Sequence, residues 1–406
     1  MTALILASIA IAAWVFLLFG RGGFWRLSET DRSLAPPGSP RPEGVRVTAI
    51  VPARDEAEVV ARSLGSLFAQ KFSGALDVVL VDDQSSDGTA EIARAAAAAQ
   101  GAESRLTVLR ASGPEPGWTG KLAAMRHGFD HVRSRAEQPD FVLFCDADIA
   151  FEPPALERLV TGAQARGVVL ASLMVKLRCE SFAEKLFVPA FVFFFQMLYP
   201  FAFVNDPRRR TAAAAGGVML LRPEALARAG GLAAIRGALI DDCALGALMK
   251  SQGPIWLGLT QIVHSLRAYA RLSAIEAMVT RSAYAELHYS PLRLLGAIAG
   301  MAVVYLAPPL LVFAPPPAAG AALVACLLMI FAYTPTLRYY GLSPAFAFAL
   351  PLIAACYTWF TLESALQHFR GRGGAWKGRF QAPRAGDGDE RRTDDRTCDD
   401  LLGQDS

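Results

Sequence analysis

Disulfide and zinc chemistry have no footing in this 406-residue chain. Its six cysteines (Cys145, Cys179, Cys243, Cys326, Cys356 and Cys398) are scattered, without a Cys-x-x-Cys pair, and read as free thiols. Histidine is scarce: there are five, and His264 and His288 stand without metal-ligand spacing and read as structural. Charge is thin as well. Charged residues make up 19% of the chain, where soluble globular chains carry about a quarter. The formal net charge of +3 is too small to argue for a nucleic-acid partner. No internal repeat is evident.

What replaces charge is apolar. Hydrophobic residues make up 53% of the chain, and the mean hydropathy is +0.31. Long apolar runs sit beside a stretch of ordinary globular composition. This excludes both a purely soluble enzyme and a bundle of membrane helices alone. Residues 3–20 (ALILASIAIAAWVFLLFG) are uncharged and just long enough to cross a bilayer. No basic residue precedes them and no small-residue cleavage site follows, which argues against a signal peptide. Arg21 and Arg26 place the following end in the cytoplasm. Residues 1–22 are therefore expected to form a transmembrane helix. Residues 23–44, with the Pro/Gly-rich LAPPGSPRPEG, are expected to form a linker.

From Val45 to residue 290 the texture is that of a folded domain. VRVTAIVPARDE, LDVVLVDD, RLTVLR and FVLFCDAD read as strands, and SLGSLFAQ and TAEIARAAAAA as helices between them. Such alternation predicts an α/β domain with a largely parallel sheet, whose ligands bind at the carboxyl ends of the strands. The acids cluster at those ends. Within the domain, residues 187–204 (FVPAFVFFFQMLYPFAFV) are uncharged, but Pro189 and Pro200 leave only ten residues between them as uninterrupted helix. An interfacial or re-entrant aromatic segment is expected over 182–206. A full span there would also separate the acids at 146–148 from those at 241–242.

Residues 291–366 hold three further uncharged runs, 294–314, 318–337 and 344–362, each about one bilayer long. Two to three C-terminal transmembrane helices are expected. Three full crossings would put the basic segment at 367–382 (with RGRGGAWKGR) outside, against the positive-inside bias. The shortest run, 344–362, is therefore expected to dip into the bilayer and return, interrupted by Pro351. The tail 383–406 has almost no apolar residues and is expected to be disordered.

Three acid pairs carry the chemistry. Asp82-Asp83 ends the second strand; the pair suits turn and cap chemistry as well as a nucleotide base or ribose. Asp146 and Asp148 are spaced i, i+2 after the apolar FVLF, and their repulsion is relieved by a hard divalent cation, Mg²⁺ or Mn²⁺. Asp241-Asp242 precedes a helical ALGALMK; the pair suits an N-cap, and one carboxylate suits a general base. Between them, GWTGKLAAMRHG puts Lys121 at a helix start, where a cation gains nothing from the dipole and is better explained by an anion such as a diphosphate. Gly216-Gly217 precede an apolar strand, a common way to bring backbone up to a ligand.

Taken in order, IVPARDE, LVDDQSSDGT, GWTGKLAAMRHG, CDAD, GGVMLLR and IDDCAL followed by LGLT resemble an inverting nucleotide-sugar glycosyltransferase of family 2, over roughly residues 45–290. The resemblance implies a GT-A fold with a Rossmann-like nucleotide-binding half. It implies that Pro52, Arg54 and Glu56 lie in the first nucleotide-contacting loop. By the same likeness Asp83 holds the base, and Asp146 and Asp148 hold ribose and a metal-bound diphosphate. Asp242 stands where the family keeps its catalytic base; many relatives have Glu-Asp where this chain has Asp-Asp. Asp82, Lys121, Gly216, Gly217 and Asp241 join the expected donor-binding set. The Gln-x-x-Arg-Trp motif of processive members is absent, since MVTRS at 278–282 keeps only Arg281, and this argues against polymer synthesis. The membrane frame, the aromatic segment and the WKGR of 376–379 are similar to lipid-directed members, above all the hopanoid-biosynthesis-associated bacterial glycosyltransferases. That likeness implies a UDP-sugar donor, a hopanoid or other lipid acceptor, and a multi-pass protein of the bacterial inner membrane with its catalytic domain in the cytoplasm. The alternatives are another acceptor (a carotenoid, a glycerolipid or a polyprenyl phosphate) or a non-catalytic scaffold that kept the fold.

Overall fold

The computed structural model of the chain describes residues 1–382; the tail at 383–406 lies outside the described residues. The described chain divides into two compact units. One holds Glu29–Arg178 and Phe203–Ala268; the other holds Met1–Ser28, Cys179–Ala202 and the residues from Tyr269 on.

The first unit is built on an eight-stranded sheet. Its strands are β1 (Arg46–Ala53), β2 (Ala75–Asp82), β3 (Leu106–Arg110), β4 (Phe141–Cys145), β5 (Ile149–Phe151), β6 (Leu170–Lys176), β7 (Val218–Leu221) and β8 (Ile255–Ser265). They run in the order β3-β2-β1-β4-β7-β6-β8-β5. β3, β2, β1 and β4 are mutually parallel, as the strand–helix alternation predicts. The other half departs from that expectation: β7 is antiparallel to both β4 and β6, and β5 is antiparallel to β8. The sheet is therefore mixed. The change falls where the sequence stops alternating and long irregular stretches replace the short crossover helices.

β4 (FVLFC) is buried along its whole length, as a strand covered on both faces must be. The helix Gly120–Arg133 supplies part of that cover. It lies so close to the sheet that a Cβ on Gly128 would stand 2.5 Å from Ile50 and 2.9 Å from Val81. The stretch expected as a linker is only partly one. Leu259 N–H donates to Glu29 O at 2.9 Å, Arg166 Nε donates to Leu34 O at 2.7 Å, and Leu34 is fully buried in the core. Residues 29–34 thus strap onto the sheet. The turn-forming prolines and glycines lie after them, which is why composition alone suggested a free linker.

The second unit is helical. Five helices are long and apolar enough to cross a membrane by length and composition: Thr2–Gly20, Phe182–Val204, Pro291–Leu311, Ala318–Tyr339 and Pro344–Phe369. Two proline expectations are corrected here. Pro189 does not end helix in the aromatic segment, which runs unbroken from Phe182 to Leu198. It starts at a full capping box, in which Ser181 Oγ accepts from Glu184 N–H and Glu184 Oε2 accepts from Ser181 N–H. Pro351 does not break the last helix either: it lies in the first turn of Leu350–Phe369, where the 3₁₀ stretch Pro344–Ala349 passes into α-helix. Trp14, Phe193, Tyr305 and Tyr333 pack the centre of this unit with edge-on ring contacts.

Candidate active site

Parallel strands end together. The segments after β1, β2 and β4, carrying Arg54 to Glu56, Asp83 and Asp146 to Asp148, therefore meet at one edge of the sheet. The helix Asp241–Lys250 brings the third acid pair to that edge with its first turn.

Lys121 joins them. Its Nζ lies 2.9 Å from Asp146 Oδ1 and 3.0 Å from Asp241 Oδ2. Asp242 faces the same place: its Oδ2 accepts from Gly216 N–H at 2.9 Å and its Oδ1 from Cys243 N–H at 2.8 Å. A Cβ on Gly216 would stand 3.1 Å from Lys121 Nζ and 3.3 Å from Asp242 Oδ2, so a side chain there would press on this junction. Gly217 has a different task. A Cβ there would meet Val175 and Ile149 side chains at 3.1–3.3 Å, which is packing.

Asp148 joins a second cluster. β5 pairs with β8 so that Ile149 faces Ser265, and Leu266 N–H donates to Asp148 O at 2.7 Å. This register delivers Arg267, whose Nε donates to Asp148 Oδ2 at 2.8 Å. The same guanidinium reaches Glu56 Oε1 at 2.8 Å and Oε2 at 3.0 Å. Sequence reasoning missed Arg267. Its signal was an arginine two residues past the end of a long apolar strand, where a core strand has no need of charge.

A third group lies after β1 and β2. Arg54 donates to Asp83 O at 2.7 Å, with its guanidinium 3.8 Å from Asp83 Oδ2. Asp82 acts in the turn, accepting from Ser85 N–H at 3.1 Å. Pro52 is inside β1, in register with Val81, and contributes backbone shape.

Electrostatics set the protonation states. Burial alone would depress the Lys121 ammonium, but Asp146, Asp241 and Asp242 outweigh it and hold the pKa above the ordinary lysine value. Burial, with Asp148 and Asp241 adding, raises Asp146, while Lys121 opposes. Burial and then the Asp241 charge push Asp242 up to about 6, against Lys121 and the two N–H donors. Among the described residues, five carboxylates (Glu56, Asp146, Asp148, Asp241, Asp242) thus lie around two cations, Lys121 and Arg267. Among the described residues no three His, Cys, Asp or Glu side chains converge as a ready-made metal cage. The excess of carboxylate over cation nevertheless fits a Mg²⁺-like ion, which is held by one or two carboxylates and completed by substrate phosphates.

Residues 42–258 match the family model for glycosyltransferase like family 2. The chain belongs to this family. In structure it is similar to the mannosyltransferase PcManGT from Pyrobaculum calidifontis, solved with GDP-Man and Mn²⁺. The TM-score is 0.50 at 19% identity, over 89% of this chain and 98% of that one. It is more distantly similar to S. aureus TarS 1–349 in complex with UDP-GlcNAc (TM-score 0.40, 14% identity, 84% of this chain and 98% of that one). Glucosyl-3-phosphoglycerate synthase from Mycobacterium tuberculosis, with Mn²⁺, UDP and phosphoglyceric acid, gives a TM-score of 0.37 at 17% identity, over 60% and 78% of the two chains. No curated protein matches the chain by sequence. The catalytic unit of this family 2 chain has the GT-A fold.

A carboxylate with its pKa raised to about 6 is protonated, and unable to accept a proton, below that pH. Donor turnover is expected to fall about tenfold per pH unit below pH about 6 if Asp242 is the base. Asp241→Asn removes a charge that raises Asp242, so it should move this acidic limb to lower pH. A pH profile of kcat/KM for the two proteins checks both the limb and its shift.

Proposed function

We propose that the protein is a membrane-bound inverting glycosyltransferase that moves a sugar from a nucleotide-sugar donor, a UDP-sugar, to a lipid acceptor. The observation that carries this reading is the junction at Lys121, where an acid from the nucleotide side of the sheet (Asp146) meets the acid pair of the next helix. Asp242 takes the proton from the acceptor hydroxyl. That oxygen attacks the anomeric carbon, the bond from this carbon to the diphosphate oxygen breaks, and the configuration inverts. Asp242 suits this role because burial and Asp241 bring its pKa near neutrality while two N–H groups fix its orientation. Arg54 and Asp83 bind the nucleotide end, with Asp82 shaping their turn. Asp146 and Asp148 are the residues that would hold a divalent ion, Mg²⁺ or Mn²⁺. Such an ion supplies charge neutralisation for the leaving diphosphate. Lys121 keeps Asp146 and Asp241 at a fixed separation, and Arg267 holds Asp148 and Glu56 in the same way. The lipid acceptor is supported by the apolar helices and by the sequence likeness to hopanoid-associated enzymes; a hopanoid is the acceptor proposed.

The protein belongs to a bacterial inner membrane, with residues 1–22 crossing it and the catalytic unit in the cytoplasm. The helix Phe182–Leu198 lies at the interface. β6 and β7 flank it in sequence and pair in one sheet, so a crossing between them would put two hydrogen-bonded strands on opposite sides of the bilayer. The last apolar helix, Leu350–Phe369, lies along the same face rather than dipping and returning. Four contacts within the helical unit support this. The helix before it brings Phe331 onto Trp25, just past the first crossing. Tyr357 Oη donates to Phe187 O at 2.9 Å, on the interfacial helix. At the far end Ser364 Oγ donates to Thr280 O at 2.6 Å, and His368 stacks on Tyr289 at 4.5 Å. Both ends of the helix then share one side with the basic segment, and the charge rule is obeyed.

Asp242→Asn is expected to leave donor affinity nearly intact and to cut kcat by ~10²–10⁴, the usual worth of general base catalysis. Donor titration and turnover by the purified protein check this; a collapse of donor binding would make Asp242 a ligand or a cap instead. Single cysteines introduced at Ser343 and Arg372, on a background without reactive native thiols, should both label from the cytoplasmic face. Labelling of the second only from outside would make the last helix a true span.

A further inference from the structure

At the other end of the catalytic helix lies a feature that the chemistry above does not use. Asp242 is in the first turn of Asp241–Lys250 and Lys250 in the last, about 12 Å away at 1.5 Å per residue. Around Lys250 there is a cavity of about 300 Å³, lined by Pro207, Arg209, Arg210, Ala247, Lys250 and Ser251 among others.

Its wall is cationic, with Lys250 fixed at its base. Lys250 Nζ donates to three backbone carbonyls: Thr211 at 2.6 Å, Val204 at 2.8 Å and Phe203 at 3.4 Å. Burial lowers its pKa to about 8, with Asp206 opposing, so it is still mostly charged near pH 7. Arg209 lies over the Phe203 ring at 3.8 Å. Asp206 is the carboxylate of this loop. It is bound by Arg208 at 3.0 Å and lies 3.8 Å from Arg209. Glu29, the next nearest acid in this network, accepts from Asn205 at 3.0 Å. Arg210 is exposed and makes no side-chain hydrogen bond or ion pair among the described residues. Three cations (Arg209, Arg210 and Lys250) therefore line the cavity, and Asp206, the carboxylate of the loop, is bound by Arg208. A concave site with that balance suits a small phosphate oxyanion, and guanidinium groups match phosphate oxygens in geometry.

Chain position narrows the source. The arginine run follows directly on the apolar stretch Phe182–Val204, separated from it by Asn205, Asp206 and Pro207. Cations at the end of an apolar segment are where phospholipid headgroups lie. The fold also links the cavity to the catalytic helix. Gly246 lets that helix rest on the backbone of Ala213 and Ala214, where a Cβ would approach within 2.6 Å.

We propose that this cavity binds a phosphate group, carried by an anionic phospholipid headgroup or free in solution. The inference stands apart from glycosyl transfer and fails or holds independently of it. The test is calorimetric titration of the full-length protein in non-ionic detergent with dihexanoyl-phosphatidylglycerol, dihexanoyl-phosphatidylcholine and inorganic phosphate. The anionic lipid is expected to bind at least roughly tenfold more tightly than the choline lipid, and less tightly at high salt. The double variant Arg209→Gln/Arg210→Gln should lose roughly 10- to 30-fold of that affinity without a change in Tm. Ser251→Glu, which puts a carboxylate at the cavity rim, should lose binding as well. Competition by millimolar inorganic phosphate would identify free phosphate as the source, and its absence the headgroup. Equal binding of the two lipids with no binding of phosphate, or variants that bind as the parent does, would overturn the proposal.

Discussion

The ammonium of Lys121 is the tie on which the catalytic unit depends. It joins Asp146, at the end of a strand in the parallel half of the sheet, to Asp241, at the start of a helix that follows the antiparallel half. Without a cation there, the carboxylates of Asp146, Asp241 and Asp242 would repel one another in a half-buried corner. With it, two of them are held near 3 Å from one nitrogen. Asp242, the third, is left with a raised pKa and its orientation fixed by backbone donors. Gly216 follows from the same constraint, since any side chain there would press on Lys121 or Asp242.

The parallel half of the fold was legible because its cause is local. A β-branched run followed by a polar turn and an apolar-striped helix specifies a strand–helix unit from its own residues. The acids that end each strand then fall at one edge by topology. The antiparallel half was not legible in this way. β7 is four residues long, and its partners β4 and β6 are set by tertiary packing, with no sequence period to announce the reversal. Lys121 stood out in the sequence as a cation at a helix start, read there as facing an anion of the substrate. The structure sets two of the chain's own carboxylates there. Arg267 escaped notice because its importance comes from the β5–β8 register, which no local pattern encodes.

Prolines misled for a different reason. Pro189 and Pro351 were both expected to break helices, yet each is inside one. In the first turn a proline costs nothing. Further along, Pro189 is held by packing of Phe187, Phe193 and Phe194 against their neighbours, which outweighs the loss of one backbone hydrogen bond. The apolar segments remain sound as observations of composition. What they do in a bilayer follows from the strands and rings that flank them, because hydrogen-bonded strands cannot be parted by a membrane.

The central claim is that an acceptor oxygen, activated by Asp242, displaces the diphosphate of a nucleotide sugar in a single step on a lipid. The most direct measurement is the anomeric configuration of the sugar in the lipid product, read from the one-bond and vicinal couplings of its anomeric proton. The purified protein would be supplied with an α-linked UDP-sugar and extracted bacterial lipids. The account predicts a β-linked glycolipid. An α-linked product, or donor consumed with no sugar appearing in the lipid fraction, would contradict it.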